Sequence, residues 1–313
     1  MITYLTHDQI DFEKWDACID QSPNGILYAW SWYLNMTCPG WDALIEDDYL
    51  SVMPLPWRKK MGVHYVYQPF FVQQLGVFST RSLSAEVTRR FLDAIPRKFQ
   101  WVNIHLNTYN GVVNRKEERV IRRVNCELDL IHPYETLYKG YSQNIRRNIK
   151  KAARQEVFIT PHGQPEVIIK AFQDNKGKEV NAFSPADYLL LKHLIYVGIH
   201  KGLVQIRCAY TRENNFCAGI IFFRSANKFI FLFSGATSEA RENGAMALLV
   251  DDFIRQWAGN DLVLDFEGSS QPDLARFYMG FGSKECVFLQ IQINRMPPVL
   301  RSLANLLGKI PGA

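Results

Sequence analysis

The stretch FIFLFSGATSEARENGAMALL, residues 229–249, decides the fold. Its pattern predicts a buried strand that ends near Ser234, a turn with a glycine, and a helix that begins around Gly244. Backbone N–H groups at the start of a helix have no intrahelical partner, so the turn predicts an anion site, to which Arg241 would add a charge-assisted contact. Gly244 would let a ligand approach the backbone closely, or would serve only the geometry of the turn.

A second strand is predicted downstream at 262–267. Because side chains alternate along a strand, Asp265 and Glu267 are expected on one face, roughly 7 Å apart. Two carboxylates at the end of a buried strand suit a base and a substrate clamp. The structural alternative is a strand end at which Asp265 pairs with an arginine. In the short helix that follows, Tyr278 is either a proton donor or a packing residue with an exposed hydroxyl.

The upstream stretch YSQNIRRNIKKAAR, residues 141–154, predicts an amphipathic helix. One arc of this helix is apolar and comprises Tyr141, Ile145, Ile149, Ala152 and Ala153. The opposite arc carries only cations: Arg146, Arg147, Lys150, Lys151 and Arg154. Since none has an acidic partner one turn further on, this face favours an anionic partner such as RNA or a phosphate ester over a merely solvated surface. Arg146, Arg147 and Lys150 are therefore candidate substrate-binding residues.

The remaining pattern indicates a mixed α/β (α+β) class with an antiparallel meander instead of repeated βαβ units. Helices are predicted at 84–95, 142–155, 165–176, 185–200, 245–257 and 273–279, and strands at 49–57, 64–71, 101–106, 120–130, 157–160, 204–210, 216–224, 228–234 and within 285–294. With 313 residues and about 150 residues per domain, two domains are expected. We place them at 1–131 and 132–296, with a C-terminal tail at 297–313.

Composition and missing motifs exclude several classes of protein. A content of 47% hydrophobic and 21% charged residues excludes a disordered or collagen-like chain, and the net charge of +5 is mild. No apolar run approaches the ~20 residues of a membrane helix, and the N-terminus lacks a signal-peptide pattern, so a cytoplasmic protein is expected. The six cysteines form no CxxC pair and are expected to be reduced core thiols, not metal ligands. The absence of GxSxG, Walker A and GxGxxG motifs argues against serine hydrolases, P-loop enzymes and dinucleotide dehydrogenases.

Taken in order, these motifs resemble a known superfamily. The order of elements resembles that of the GNAT superfamily of N-acetyltransferases. The elements are the strand, the Arg-x-x-Gly loop, the helix, the acidic strand and the later FYMGFG, residues 277–282. YSQNIRRNIKKA together with DFEGS, residues 265–269, is similar to its Fem-type and cellulose-biosynthesis-type branch. The resemblance is clearest over 134–295 and weak over 1–130. It implies two tandem GNAT-like domains, the first degenerate, each with a mixed, mainly antiparallel sheet flanked by helices.

The resemblance also implies a site. Acetyl-CoA or another acyl-CoA would lie between the strand that ends at Ser234 and the strand 262–267. Its pyrophosphate would contact the loop that contains Arg241, Gly244 and Ala245. Tyr278 matches the family's candidate general acid near the thioester sulfur, and Glu267 is our candidate base for an acceptor amine. The implied activity is N-acyl transfer to an amine, with a cell-envelope or polysaccharide precursor as the expected acceptor.

One departure from the superfamily pattern bears on the donor. Met246 stands where the pattern has a small residue, next to the predicted pyrophosphate loop. Fem-type members use aminoacyl-tRNA instead of acyl-CoA, and a tRNA would suit the cationic helix. An aminoacyl-tRNA-dependent transferase and a non-catalytic binding module of the same fold are therefore the two alternatives.

Overall fold

A computed structural model describes residues 1–115, 118–178, 183–268 and 271–297, apart from the side chain of Arg241. The chain divides into two compact units, Met1–Arg123 with Val287–Ala313, and Val124–Cys286. Thus the chain returns to the first unit after residue 286, ten residues before the domain end at 296 expected from the sequence. Of the expected tail, all but Pro297 lies outside the described residues.

The first unit contains two groups of hydrogen-bonded strands. The strand order is β1-β2-β3-β6 in one sheet and β4-β5-β7-β14 in the other group. Its helices are α1 (Phe12–Gln21), α2 (Ser31–Thr37) and α3 (Ala85–Ala94). Its strands are β1 (Ile2–Leu5), β2 (Asp42–Glu46), β3 (Ser51–Leu55), β4 (Trp57–Lys60), β5 (Val63–Val66), β6 (Phe78–Ser79) and β7 (Phe99–His105). The strands β8 (Glu118–Asp129) and β14 (Lys284–Asn294) contain the unit boundaries.

The second unit contains the motifs that resemble GNAT proteins. Its helices are α4 (Tyr134–Lys139), α5 (Gln143–Arg154), α6 (Pro165–Phe172), α7 (Pro185–His200), α8 (Ser238–Asn243), α9 (Ala245–Trp257) and α10 (Pro272–Met279). Its further strands are β9 (Phe158–Thr160), β10 (Val204–Tyr210), β11 (Phe216–Ser225), β12 (Lys228–Ala236) and β13 (Val263–Asp265). The strand order is β8-β13-β12-β11-β10-β9, and only β12 and β13 are parallel. The mixed, mainly antiparallel α/β class is therefore confirmed, whereas the relation of the two units as copies of one fold stays a prediction.

The sheet of the second unit is buried on both faces. Helices α5, α9 and α10 pack on one face, where Phe222, Phe229 and Phe231 are buried. Helix α6 packs on the other face against β11 and β12. Strands β12 and β13 pair from Lys228 to Ile230, and β12 then continues to Ala236 with β11 as its partner.

Two local expectations differ from the structure. The loop expected before Gly244 is the short helix α8, which ends where Gly244 takes the left-handed conformation at φ +79°. The strand expected to reach Glu267 ends at Asp265. Glu267 itself has φ +48° and Gly268 has φ +58°, so the extended conformation cannot continue through them.

Some features concern the chain as a whole. All six cysteines are free thiols; five of them are buried and Cys286 is half-buried. Within the described ranges, no helix has the length and hydrophobicity needed to cross a bilayer. The same ranges contain no group of three potential metal-ligating side chains.

The close packing of α6 against β12 allows a test of the fold. A Cβ built on Gly235 would lie 1.9 Å from the carbonyl oxygen of Ile168 in α6. We expect Gly235→Ala to destabilise the protein by about 3 kcal/mol, because backbone would have to move. Gly111→Ala is the control, since its Cβ would meet Ala85 at an ordinary 3.5 Å. Equal midpoints of urea unfolding for the two variants would contradict this packing.

Candidate functional site

Three aromatic rings fill the space where β12 and β13 diverge. Tyr278 stacks on Phe266 with centroids 4.7 Å apart and an interplanar angle of 20°. Phe231 of β12 meets the Tyr278 ring edge-on at 5.7 Å. Helix α10, which starts with proline at its first position, carries Tyr278 near its C-terminal end. The tyrosine that the sequence singles out thus lies at the opening between the two parallel strands.

The charge of the Glu267 carboxylate acts on the phenol of Tyr278, and both groups are buried. Only 7% of Tyr278 is exposed, and the Oε1 atom of Glu267 is buried although the residue as a whole is partly exposed. Burial raises the pKa of the Tyr278 phenol above its ordinary value, and the nearby Glu267 carboxylate raises it further. Burial also raises the pKa of Glu267 well above its ordinary value. The pair therefore combines a phenol that keeps its proton with a carboxyl group of increased basicity.

The strand ends at Asp265, so the strand alternation from which a shared face was predicted does not extend to Glu267. The Oδ1 atom of Asp265 accepts hydrogen bonds from the Asn125 side-chain amide at 2.7 Å and from the Glu267 backbone N–H at 3.1 Å. Its Oδ2 lies 3.9 Å from the Lys228 ammonium, which also binds Glu127. The strand alternation fails because Glu267 is left-handed, and Asp265 lies among the polar groups of Asn125 and Lys228.

The cluster around Asp265 is a buried network of charges. Asp265 is 1% exposed and lies directly opposite Glu127 in the β8–β13 register. Burial raises the pKa of Asp265 to about 6, and the Lys228 ammonium limits this rise. Burial alone would lower the pKa of Lys228, but the two carboxylates outweigh it and the pKa is raised. Asp265 thus holds the backbone of Glu267 instead of standing at a solvated strand end.

The predicted pyrophosphate loop is enclosed by α5. A Cβ on Gly244 would lie 2.4 Å from the carbonyl oxygen of Asn148. The Ala245 N–H donates to the side-chain oxygen of Asn243 at 2.9 Å, and Ala245 is fully buried. Gly244 therefore serves the left-handed turn, as in the structural alternative left open by the sequence, and it also serves the packing of α5, which the sequence did not suggest. The backbone of Arg241 lies in α8, and Ser234 is half-buried on β12 opposite Ile220.

The fit of acyl-CoA can be judged from these contacts. A pyrophosphate at a helix start needs free N–H groups and room for its oxygens. Here the Ala245 N–H is already used by Asn243, and the backbone of Asn148 occupies the space beside Gly244. The loop residues therefore do not fit the pyrophosphate of acyl-CoA.

Helix α5 has the predicted apolar and cationic faces, and it differs from the prediction at two residues. Arg146 is half-buried, because it donates to the Lys139 carbonyl at 2.6 Å and lies over the Tyr138 ring at 5.5 Å. Ala153, expected on the apolar face, is exposed. The other four cations, Arg147, Lys150, Lys151 and Arg154, are exposed. Among the residues that the structure describes, none of these four forms an ion pair; Arg147 donates to the side-chain oxygen of Asn144 at 2.9 Å.

The two motifs that resemble Fem-type proteins contact each other. The Ser142 N–H donates to the Gly280 carbonyl at 2.8 Å. The rings of Tyr141 and Phe281 meet edge-on with centroids 5.2 Å apart. The start of α5 therefore holds the end of α10, the helix that carries Tyr278.

Sequence reasoning missed four residues of this region: Asn125, Glu127, Lys228 and Asn243. Asn125 and Glu127 lie two residues apart on the predicted strand 120–130, so their side chains are expected on the same face of the sheet. This shared face is the sequence signal that could have identified them. The pairing of β8 with β13, which brings them to Asp265, has no local sequence signal. Asn243 directly precedes Gly244, where an Asn is typical of a local cap.

Comparisons with known proteins give the fold. No family model matches the chain, and no curated protein matches its sequence. The structure is similar to FemX, with a TM-score of 0.66 and 12% identity over 96% of this chain and 99% of that chain. It is also similar to the C-terminal domain of a putative lysylphosphatidylglycerol synthetase from Agrobacterium fabrum, with a TM-score of 0.56 and 12% identity over 97% and 98% of the two chains. For L-PGS from Bacillus licheniformis the TM-score is 0.50, with 11% identity over 94% of each chain. The Fem-type resemblance of the motifs is thereby confirmed at the level of the fold.

The network around Asp265 predicts a pH-dependent stability effect. In Lys228→Met, Asp265 and Glu127 would face each other without their cation, so we expect a loss of about 3 kcal/mol at pH 8. The loss should be smaller at pH 5 than at pH 8, because Asp265 of the variant, without the cation that limits its pKa, is then protonated and no longer repels Glu127. Urea unfolding of the variant and the parent protein at pH 8 and pH 5 measures this difference. A loss that is the same at both pH values would contradict the assigned network.

Proposed function

We propose that this chain is a Fem-type transferase that moves an aminoacyl group from aminoacyl-tRNA to an amine acceptor. The observation that carries the proposal is the buried pair of Tyr278 and Glu267 at the opening between β12 and β13. The fold shared with FemX supports a transferase, and the enclosed Gly244 loop favours the tRNA donor over acyl-CoA. An amine on a cell-envelope precursor is the proposed acceptor, as the resemblance implies.

In this reaction the acceptor nitrogen attacks the ester carbonyl of the donor. The new C–N bond forms as the bond between the carbonyl carbon and the ribose oxygen breaks. Glu267 takes the proton that the amine loses, since its raised pKa makes it a stronger base than an ordinary carboxylate. Burial keeps the proton of Tyr278 in place at neutral pH until Tyr278 gives it to the departing ribose oxygen. The proton taken up by Glu267 then returns to the phenolate, which restores both groups for the next turnover.

The donor would bind through the exposed cations of α5. Arg147, Lys150, Lys151 and Arg154 make up that surface. A row of cations without acidic partners suits the phosphates of a nucleic-acid backbone, whereas a small thioester needs few such contacts. Because α5 also holds the end of α10, a tRNA on this helix would lie near the element that carries Tyr278.

Substitution of the central pair tests the chemistry. Glu267→Gln and Tyr278→Phe should each lower turnover by about 100-fold, because each removes one proton-transfer group. Turnover is measured as transfer of radiolabelled amino acid from a total aminoacyl-tRNA pool to glycinamide. The rate of the parent protein should rise with pH through the raised pKa of Glu267, since the base must lose its proton, and Glu267→Gln should lack this rise.

Unchanged tRNA affinity in both variants is the control for their folding. Parent-like turnover in Glu267→Gln or in Tyr278→Phe would contradict its assigned role. Saturable binding of acetyl-CoA in equilibrium dialysis would contradict the assignment of the donor. If no aminoacyl transfer occurs while tRNA binds, the chain is the non-catalytic binding module.

The cationic helix gives a separate prediction for tRNA binding. The double variant Lys150→Gln/Lys151→Gln should bind tRNA more weakly, because two phosphate contacts are removed. In a plot of log affinity against log salt concentration, its slope should be shallower than that of the parent protein by about 2. Fluorescence anisotropy at rising KCl concentration measures both quantities. The matched control is Lys59→Gln/Lys60→Gln, which removes two exposed neighbouring lysines from β4. Equal losses in the two double variants would show that only the net charge matters, contrary to the proposal.

A further inference from the structure

The first unit contains a cavity of about 790 Å³ at the C-terminal end of α3. Leu92, Ile95 and Ile293 form an apolar part of its lining. The charged side chains that line it are Asp93, Arg97, Arg115, Glu118 and Arg295. The cavity lies wholly in the first unit, whereas Tyr278 and Glu267 belong to the second.

Both carboxylates in the lining are already paired. Glu118 receives two hydrogen bonds from the guanidinium of Arg89, at 2.7 and 2.6 Å. Asp93 is bound by Arg115 at 2.7 Å. The negative charges of this cavity are therefore neutralised by Arg89 and Arg115.

Arg97 and Arg295 have no such partner. Arg97 is exposed, and within the described ranges neither residue forms an ion pair with a carboxylate. Arg295 instead donates to the backbone carbonyls of Ile95 and Pro96, at 3.0 and 3.2 Å. Burial and the neighbouring charge of Arg97 lower the pKa of Arg295, although Glu118 and Asp93 act in the opposite direction. Two guanidinium groups thus share one cavity and leave two positive charges uncompensated.

We propose that this cavity binds a phosphate monoester through Arg97 and Arg295. A dianionic phosphate would neutralise both guanidinium groups, whereas a carboxylate would neutralise one. The side chains of Leu92, Ile95 and Ile293 would contact an apolar group attached to the phosphate. The site is independent of the transfer reaction, because none of its residues belongs to the second unit.

Calorimetric titration of the full chain with phenyl phosphate tests the proposal, with benzoate as the carboxylate probe. We expect saturable binding of phenyl phosphate, at least tenfold tighter than that of benzoate. Arg97→Gln should weaken it by about tenfold, because one charged hydrogen-bond donor is lost. Arg295→Gln should have a similar effect. Arg97 is exposed and is therefore the variant least able to disturb folding.

Two controls locate the binding. Arg122→Gln removes an exposed arginine of β8 that does not line the cavity, and Lys59→Gln/Lys60→Gln removes two exposed lysines of β4 that do not line it either. Parent-like affinity in both controls is expected. The proposal is overturned if phenyl phosphate does not bind at about 10 mM, a concentration above the dissociation constants of ordinary ligand sites. It is equally overturned if benzoate binds as tightly, if Arg97→Gln has no effect, or if the controls lose as much affinity.

Discussion

The close approach of the Asn148 carbonyl to Gly244 is the contact on which the second unit depends. It is possible only because residue 244 has no Cβ, and it seats α5 directly on the start of α9. With α5 in this position, the amide of Ala245 is buried and its N–H donates to Asn243. The apolar side of α5 is used in this packing, and the cations are left on the outer side. The same backbone contact therefore buries the start of α9 and leaves the cations of α5 exposed.

The same docking positions the aromatic centre. The Ser142 N–H at the start of α5 holds the Gly280 carbonyl, two residues after Tyr278. A Cβ on Gly280 would lie 2.8 Å from the Ile145 side chain, so α10 also approaches α5 without intervening atoms. Tyr278 is thereby fixed from its C-terminal side while Phe266 fixes its ring. Placement of this kind, by packing and backbone hydrogen bonds, is what a reacting group needs to keep its geometry.

The sequence predicts best those features whose signals lie within a few neighbouring residues. The helix Pro185–His200 and the strand Val204–Tyr210 have the bounds that the sequence predicts, because proline, capping residues and apolar periodicity act within a few residues. The bond between Asn125 and Asp265 joins residues 140 positions apart, so it depends on a strand register that no local pattern encodes. The packing of α5 against Gly244 was missed for a similar reason. A glycine before a helix has the same local signal whether a ligand or another helix approaches it.

The left-handed residue at the end of β13 explains how two nearby carboxyl groups acquire different environments. Had the strand continued to Glu267, both would face the same side and share Lys228, Asn125 and Glu127. Because φ turns positive at Glu267, Asp265 alone takes those partners, and its Oδ1 accepts the N–H that fixes the turn. Burial raises the pKa of Glu267, and the charge of Glu267 acts on the phenol of Tyr278. Separate environments for neighbouring carboxyl groups allow one to hold structure and the other to exchange protons, and here a single backbone torsion produces that separation.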